Sequence, residues 1–221
     1  MAVVPAANSD LSDGIFFLVR RLVNGSTNVY LEKLADIYEK NTYSTGSGNF
    51  YYYMDSMRIV TSPGSATISV PHLAGETVHV FGDGDYLGTK VISVGGSLVL
   101  DAIYGEVVFG LGYSHRLVPS PIRTNTQIGN SAGMVHKISN IYINFWNTLA
   151  ATYGDPERNE FYEIEFRPST IVASQLTPLF TGQKRMQFPA GYSREKQVEI
   201  KGSLPFPCNV LSIVAEGVAY D

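Results

Sequence analysis

Residues 66–113 read ATISVPHLAGETVHVFGDGDYLGTKVISVGGSLVLDAIYGEVVFGLGY, and this stretch decides the fold class. Five short runs rich in β-branched residues, ATISV, TVHVF, TKVISV, SLVL and EVVFGLGY, are separated by HLAGE, GDGDYLG, GG and DAIYG. Each run has strand length and each gap carries turn chemistry. Five strands so closely spaced predict a small closed β-barrel, which also removes the open edges that invite aggregation. Its inward positions are expected at Val78, Val80, Val91, Val99 and Val108.

On either side the pattern changes. IFFLVRRLV and STNVYLEKL, residues 15–34, flank Asn24-Gly25, the pair best suited to the left-handed angles of a type I′ turn, and predict a hairpin. Leu31, Leu34 and Ile37 also have roughly helical spacing, so a helix start is the alternative for the second run. NTYSTGSGN, residues 41–49, has almost nothing apolar to bury and reads as an exposed loop; FYYYMDSMRIV then restarts ordered structure. Beyond Pro119 and Pro121 and the loop TNTQIGNSAG, KISNIYINFWN alternates Ile138, Ile141, Ile143 and Phe145 with polar residues, with one interruption at Ser139-Asn140. That pattern buries one face of a strand. After the loop YGDPERNE, FYEIEF sets Phe161, Glu163 and Glu165 on one face and Tyr162, Ile164 and Phe166 on the other. KRMQF, QVEIKG and CNVLSIVAEGVAY supply three further strands. The expected fold is therefore mainly β: a discontinuous, platform-like sheet region from 1–62 and 120–221, with a five-stranded barrel inserted at 63–119.

Composition agrees with such a chain. Of 221 residues 44% are hydrophobic and only 16% charged, with 21 Gly, 14 Tyr and 11 Phe, a balance that favours turn-rich β-structure over helix. A formal charge of -4 opposes a surface built to grip phosphates, although it allows a wall past which nucleic acid slides. No apolar run approaches the roughly 20 residues of a bilayer-spanning helix. MAVVPAANSD has neither the basic start nor the apolar core of a signal peptide, so synthesis in the cytoplasm is expected. Cys208 is the only cysteine; it forms no internal disulfide and reads as an inert, partly buried thiol.

No motif makes a strong case for catalysis. Gly82–Lys90, GDGDYLGTK, has glycines and a lysine, but Thr precedes Lys and a strand follows where a phosphate loop needs a helix N-terminus, so a hairpin turn is expected. Asp83 and Asp85 alternate as calcium ligands do without the remaining ligands or the terminal Glu. His72, His79, His115 and His136 are scattered and read as surface or turn histidines, which implies no metal. Ser114 adjoins His115, yet neighbouring strand residues face opposite ways. Among the carboxylates Asp155, Glu157, Glu160, Glu163 and Glu165, the last two share a strand face about 7 Å apart, the spacing two-carboxylate glycosidase chemistry would use. A solvated strand face is the preferred reading of them. Lys184, Arg185, Phe188, Tyr192 and Arg194 interleave basic and aromatic groups, but Glu195 and Glu199 make the surface mixed in charge. No catalytic, cofactor-binding or metal-binding residue is assigned.

The same residues carry a resemblance. HLAGETVHVFGDGDYLGTKVISVGGSLVLDAIYGEVVFGLGY, with its Leu-x-Gly-x-Thr-Val opening, Gly-Asp-Gly turn, Gly-Gly turn and closing Gly-Leu-x-Tyr, resembles the small barrel of the tail nozzle family of short-tailed bacteriophages, also called tail tubular protein B. TPLFTGQKRMQFPAGYSREKQVEIKGSLPFPCNVLSIVAEGVAYD resembles that family's C-terminus, and RRLVNGSTNVYLEKL the strand pair that precedes its barrel. The family's full-length members are several times longer and carry a propeller-like region without a counterpart here. The resemblance implies a non-enzymatic virion subunit: a ring of identical copies, usually a hexamer, below an adaptor ring. Tail fibres or spikes attach to such a ring, and DNA passes through its lumen during ejection without specific binding. A receptor- or glycan-binding tail module is the alternative, and a glycan hydrolase using Glu163 and Glu165 a further one.

Overall fold

Asn24 and Gly25 both take positive φ, 48° and 73°, the left-handed pair of a type I′ turn. Around them β2 (Asp13–Val23) and β3 (Ser26–Lys33) pair antiparallel from Val23↔Ser26 to Phe16↔Lys33, and β1 (Val3–Ala7) adds a third strand on the far side of β2. The second run is thus a strand rather than a helix. The computed structural model describes residues 3–7, 13–34, 52–121, 123, 125–126, 129–130, 133–166, 178–189 and 191–220; the loop expected at 41–49 lies outside them. Among these residues the fold is mainly β, with eighteen strands, one 3-10 turn and no α-helix. The chain divides into two compact units, Met1–Gly112 and Tyr113–Asp221. Every described strand pairing stays within one unit, so the discontinuous arrangement of 1–62 with 120–221 has no described pairing behind it.

The first unit continues through β4 (Asp55–Thr61), β5 (Thr67–Ser69), β6 (Thr77–Gly82), β7 (Asp85–Val91), β8 (Ser97–Val99) and β9 (Glu106–Leu111). Four of the five runs form strands, but the third, TKVISV, is a strand only through Val91, because β7 already starts at Asp85 within the expected turn, and the strands do not close into a barrel. β4, β9, β6 and β7 form one open antiparallel sheet, while β5 and β8 pair separately as a short ribbon. Beyond β7 the hydrogen bonds of Ile92 to Glu76 and of Gly75 to Ile92 extend its ladder with β6, and no described pairing joins the two edge strands β4 and β7. Sheet and ribbon still share a core of Ile68, Val70, Leu73, Val78, Val80, Ile92, Leu98, Leu100, Val107 and Phe109.

Two expected core positions are reversed. Val91 is 67% and Val99 61% exposed, whereas Ile92 and Leu98 beside them are fully buried. Val91 pairs with exposed Thr77, one step out of phase with Val78 and Val80; Val99 pairs with exposed Thr67, and Leu98 with buried Ile68. Val108 is buried as expected, but on the other face of the sheet, opposite Phe81. Phe81 in turn packs against Tyr52 and Tyr86.

The second unit comprises β10 (His115–Leu117), β11 (Asn125–Thr126), β12 (Gly129–Asn130), β13 (Val135–Thr148), β14 (Thr152–Asp155), β15 (Glu160–Glu163), β16 (Phe180–Gln187), β17 (Glu199–Gly202) and β18 (Val210–Tyr220). One sheet runs β10-β17-β14-β15 and another β16-β13-β18. β13 turns Ile138, Ile141, Ile143 and Phe145 inward, and a register shift between Ile138 and Asn140 accounts for the interruption in its pattern. These side chains meet Tyr153 and Ile200 of the other sheet together with Ile164, Phe166, Phe188 and Val198 in one core.

Candidate functional site

β13 is central in its sheet, so the residues between its buried positions point away from the core. Three rows cross the outer face: Gln187, Asn140 and Glu216; Arg185, Tyr142 and Val214; Gln183, Asn144 and Ser212. Tyr142 is the centre of this face. The Arg185 guanidinium lies 5.8 Å from its ring centroid, and its hydroxyl donates to Glu216 Oε2 at 3.0 Å. Asn140 Nδ2 donates to the same carboxylate oxygen at 3.0 Å, and Asn144 Nδ2 to Ser212 Oγ at 2.6 Å. The hydrogen bond to Glu216 holds the Tyr142 hydroxyl above its ordinary pKa. Trp146 and Val214 add exposed apolar surface, and Tyr192 packs at a tilt beside Tyr220 with Lys137 over its ring. Aromatic rings, amides, a guanidinium and a carboxylate thus share one pleated face, groups of the kind that interaction surfaces use.

The second surface is on the hairpin. Its inner face meets its own unit: Arg21 binds Glu32 in bidentate fashion at 3.1 and 2.8 Å, Ser56 Oγ donates to Glu32, and Tyr30 Oη donates to the His72 carbonyl at 2.9 Å. The outer face holds Leu18 opposite Leu31, with Leu22 and Val29 beside them, all between 45 and 69% exposed. Arg20 and Lys33 lie among these residues, and no carboxylate does.

The residues singled out from sequence are dispersed. Glu163 ends β15 and Glu165 lies beyond it, both exposed, while Lys184 Nζ donates to the Glu165 carbonyl at 2.7 Å. Asp155 is buried and held by Lys196; Glu157 follows it in the turn, and Glu160 sits 3.5 Å from Arg158. Ile164 and Phe166 are buried as the alternation requires, but Tyr162 is exposed, because β15 is the edge strand of its sheet. Asp83 and Gly84 form another left-handed turn pair, and the Asp83 carboxylate accepts the Glu106 and Gly105 N–H groups at 2.8 and 3.2 Å. It is a structural cap, with Asp85 starting β7 as the strand that follows the turn. Among the described residues no group of three His, Cys, Asp or Glu side chains is placed to hold a metal.

His72 lies in the Pro71–Leu73 turn, as a turn histidine should, whereas His79, His115 and His136 lie in strands. His136 is buried in β13 and exchanges backbone hydrogen bonds with Ser193; burial lowers the pKa of His72, His79 and His115, and His79 Nδ1 is 2.6 Å from Tyr86 Oη. Ser114 is an exposed loop residue preceding His115 at the start of β10. Of the basic-aromatic set, Lys184 turns toward the core side and covers Phe166 and Phe180, Arg185 points outward, Phe188 is buried, and Tyr192 and Arg194 are exposed. Strand alternation splits that set between faces, so it forms no continuous basic patch. Cys208 lies just before β18, packed against the core, and burial pushes its thiol up to about 11. Neither a family model nor a curated protein matches the chain.

Proposed function

We propose that this protein is a structural subunit of a bacteriophage tail, part of a ring-shaped nozzle through which DNA is ejected. The observation that carries the reading is the outer face of the β2–β3 hairpin. Leu18, Leu22, Val29 and Leu31 expose apolar surface on one face, with Arg20 among them, in a hairpin already anchored through its other face. Exposed apolar patches are characteristic of interaction surfaces, and a subunit whose work is assembly needs them. The resemblance of residues 72–113 and of the C-terminal stretch to the nozzle family supplies the identity of the assembly. On this reading the chain is non-enzymatic, resides in the virion, and contacts further copies, an adaptor ring and fibres or spikes.

The direct test is negative-stain imaging of the purified chain together with light scattering across concentration. Rings of uniform diameter are expected. A strict monomer at high concentration, with no ring density in the parent particle, would exclude the proposal. A second reading, a glycan-binding tail module, draws on the Asn140, Tyr142, Asn144 and Trp146 face; monomers or trimers that retain glycans on an array would favour it.

A further inference from the structure

The sheet β16-β13-β18 has β16 and β18 at its two edges, and among the described residues no strand pairs with the outer side of either. β18 runs for eleven residues with no proline and with Glu216 as its single charged residue. Exposed Leu211, Val214, Val218 and Tyr220 line it. Natural sheets guard such an edge with lysines, prolines or very short strands. Those devices are missing from β18, whose charged group is already bound to Asn140 and Tyr142.

The opposite edge is its chemical complement. On the outer face β16 presents Arg185 as its cation, since Lys184 is turned to the other side toward Phe166 and Phe180. The sheet thus ends in a guanidinium at one edge and a carboxylate at the other, both touching Tyr142 between them. β16 and β18 are each antiparallel to β13 and so run parallel to one another. A second copy set beside β18 with its β16 edge would continue the sheet in the same direction and keep its buried face on the same side. Because the two edges differ, the contact is heterologous and repeats from copy to copy, forming a ring where the rotation between copies closes.

We propose that β18 of one copy pairs in parallel with β16 of the next, with Glu216 facing Arg185 of that second copy, so that the sheets of successive copies run into one another. This inference rests on the ring-forming reading and specifies its junction.

The test uses the full chain and three variants, Glu216→Arg, Arg185→Glu and the double exchange, measured by sedimentation velocity over a concentration series. Each single variant places like charges across every junction and is expected to associate at least tenfold more weakly than wild type, with an unchanged β-sheet circular dichroism spectrum. The double exchange restores opposite charges and is expected to return association to within about threefold of wild type. Single variants that assemble as tightly as wild type would overturn the junction and leave the ring reading standing. Loss with Glu216→Arg but not with Arg185→Glu would overturn it in favour of a symmetric β18–β18 contact, and a double exchange that fails to recover would overturn it as well. A wild-type chain that stays monomeric throughout would overturn junction and ring together.

Discussion

Lys196 and Asp155, 41 positions apart, form a salt bridge that solvent does not reach, with side-chain exposures of 1% and 0%. Lys196 also lies 5.6 Å from the Phe188 ring centroid, and the second Asp155 oxygen accepts the Glu157 N–H at 3.1 Å, holding the turn between β14 and β15. Removing one partner strands the other charge in a dry site. Asp155→Ala should therefore cost about 3–5 kcal/mol, while Asp155→Leu with Lys196→Met should come within about 1 kcal/mol of wild type. Urea unfolding of the three proteins measures both; a single variant as stable as wild type would show that water reaches the pair.

Glu106 gives the pH dependence. Its side chain is 4% exposed, its Oε2 has no hydrogen-bond partner among the described residues, and burial, reinforced by nearby Asp83, raises its pKa from 4.5 to about 7. A raised carboxyl pKa means that the folded state holds the proton more tightly than the unfolded chain. Its contribution is fully present below about pH 4.5 and is lost as pH rises toward 7, a decline of about 3 kcal/mol. Glu106→Gln should remove that slope. The comparison is the difference between the two proteins in thermal unfolding from pH 4.5 to 8, because Arg-bound Glu32 and Glu199, whose pKa values are lowered, change stability in the opposite direction at lower pH.

The hairpin patch separates folding from assembly. Leu18 and Leu31 face each other on the exposed side of the hairpin, 45% and 67% exposed, so replacing both by serine removes only part of a side chain's buried surface at each position. The double variant should melt within a few degrees of wild type, since exposed substitutions usually change stability by less than about 0.5 kcal/mol each. Its association should nevertheless weaken. Equal assembly of variant and wild type on sedimentation would remove the observation on which the proposed function stands.

What the sequence made legible and what it hid follow from the range of the interactions. Asn24-Gly25 specifies its turn through two backbone angles, and Ile138, Ile141, Ile143 and Phe145 display their strand period directly. The five short strands of residues 66–113 are local features too. Closure is not local, since it depends on whether the edge strands β4 and β7, far apart in the chain, find each other. In apolar runs such as VISV and SLVL either parity satisfies the pattern, and only pairing with Thr77 or Ile68 decides which side chain goes inward. The outer face around Tyr142 joins β13, β16 and β18, while Asp155 reads as a loop acid until its partner 41 residues away is known. A tyrosine between amides on an alternating strand was the available signal for that face, and many solvated strands share it.

The last prediction concerns the first unit as a folding element. Val80 is fully buried in the core between the β4-β9-β6-β7 sheet and the β5–β8 ribbon, opposite Phe109 on β9. Val80→Asp places an unpaired carboxylate there, at a cost of several kcal/mol unless the acid takes up a proton. That is a large fraction of the roughly 5–15 kcal/mol that holds a domain together. The second unit has its own core, built from β13 and the residues that meet it, and none of its described strand pairings involves residues 1–112. Hydrogen exchange on wild type and variant should show protection falling across 55–61, 77–91 and 106–111 while persisting in 138–146 and 199–218. Loss of protection along the whole chain would show that the two cores unfold as one cooperative unit.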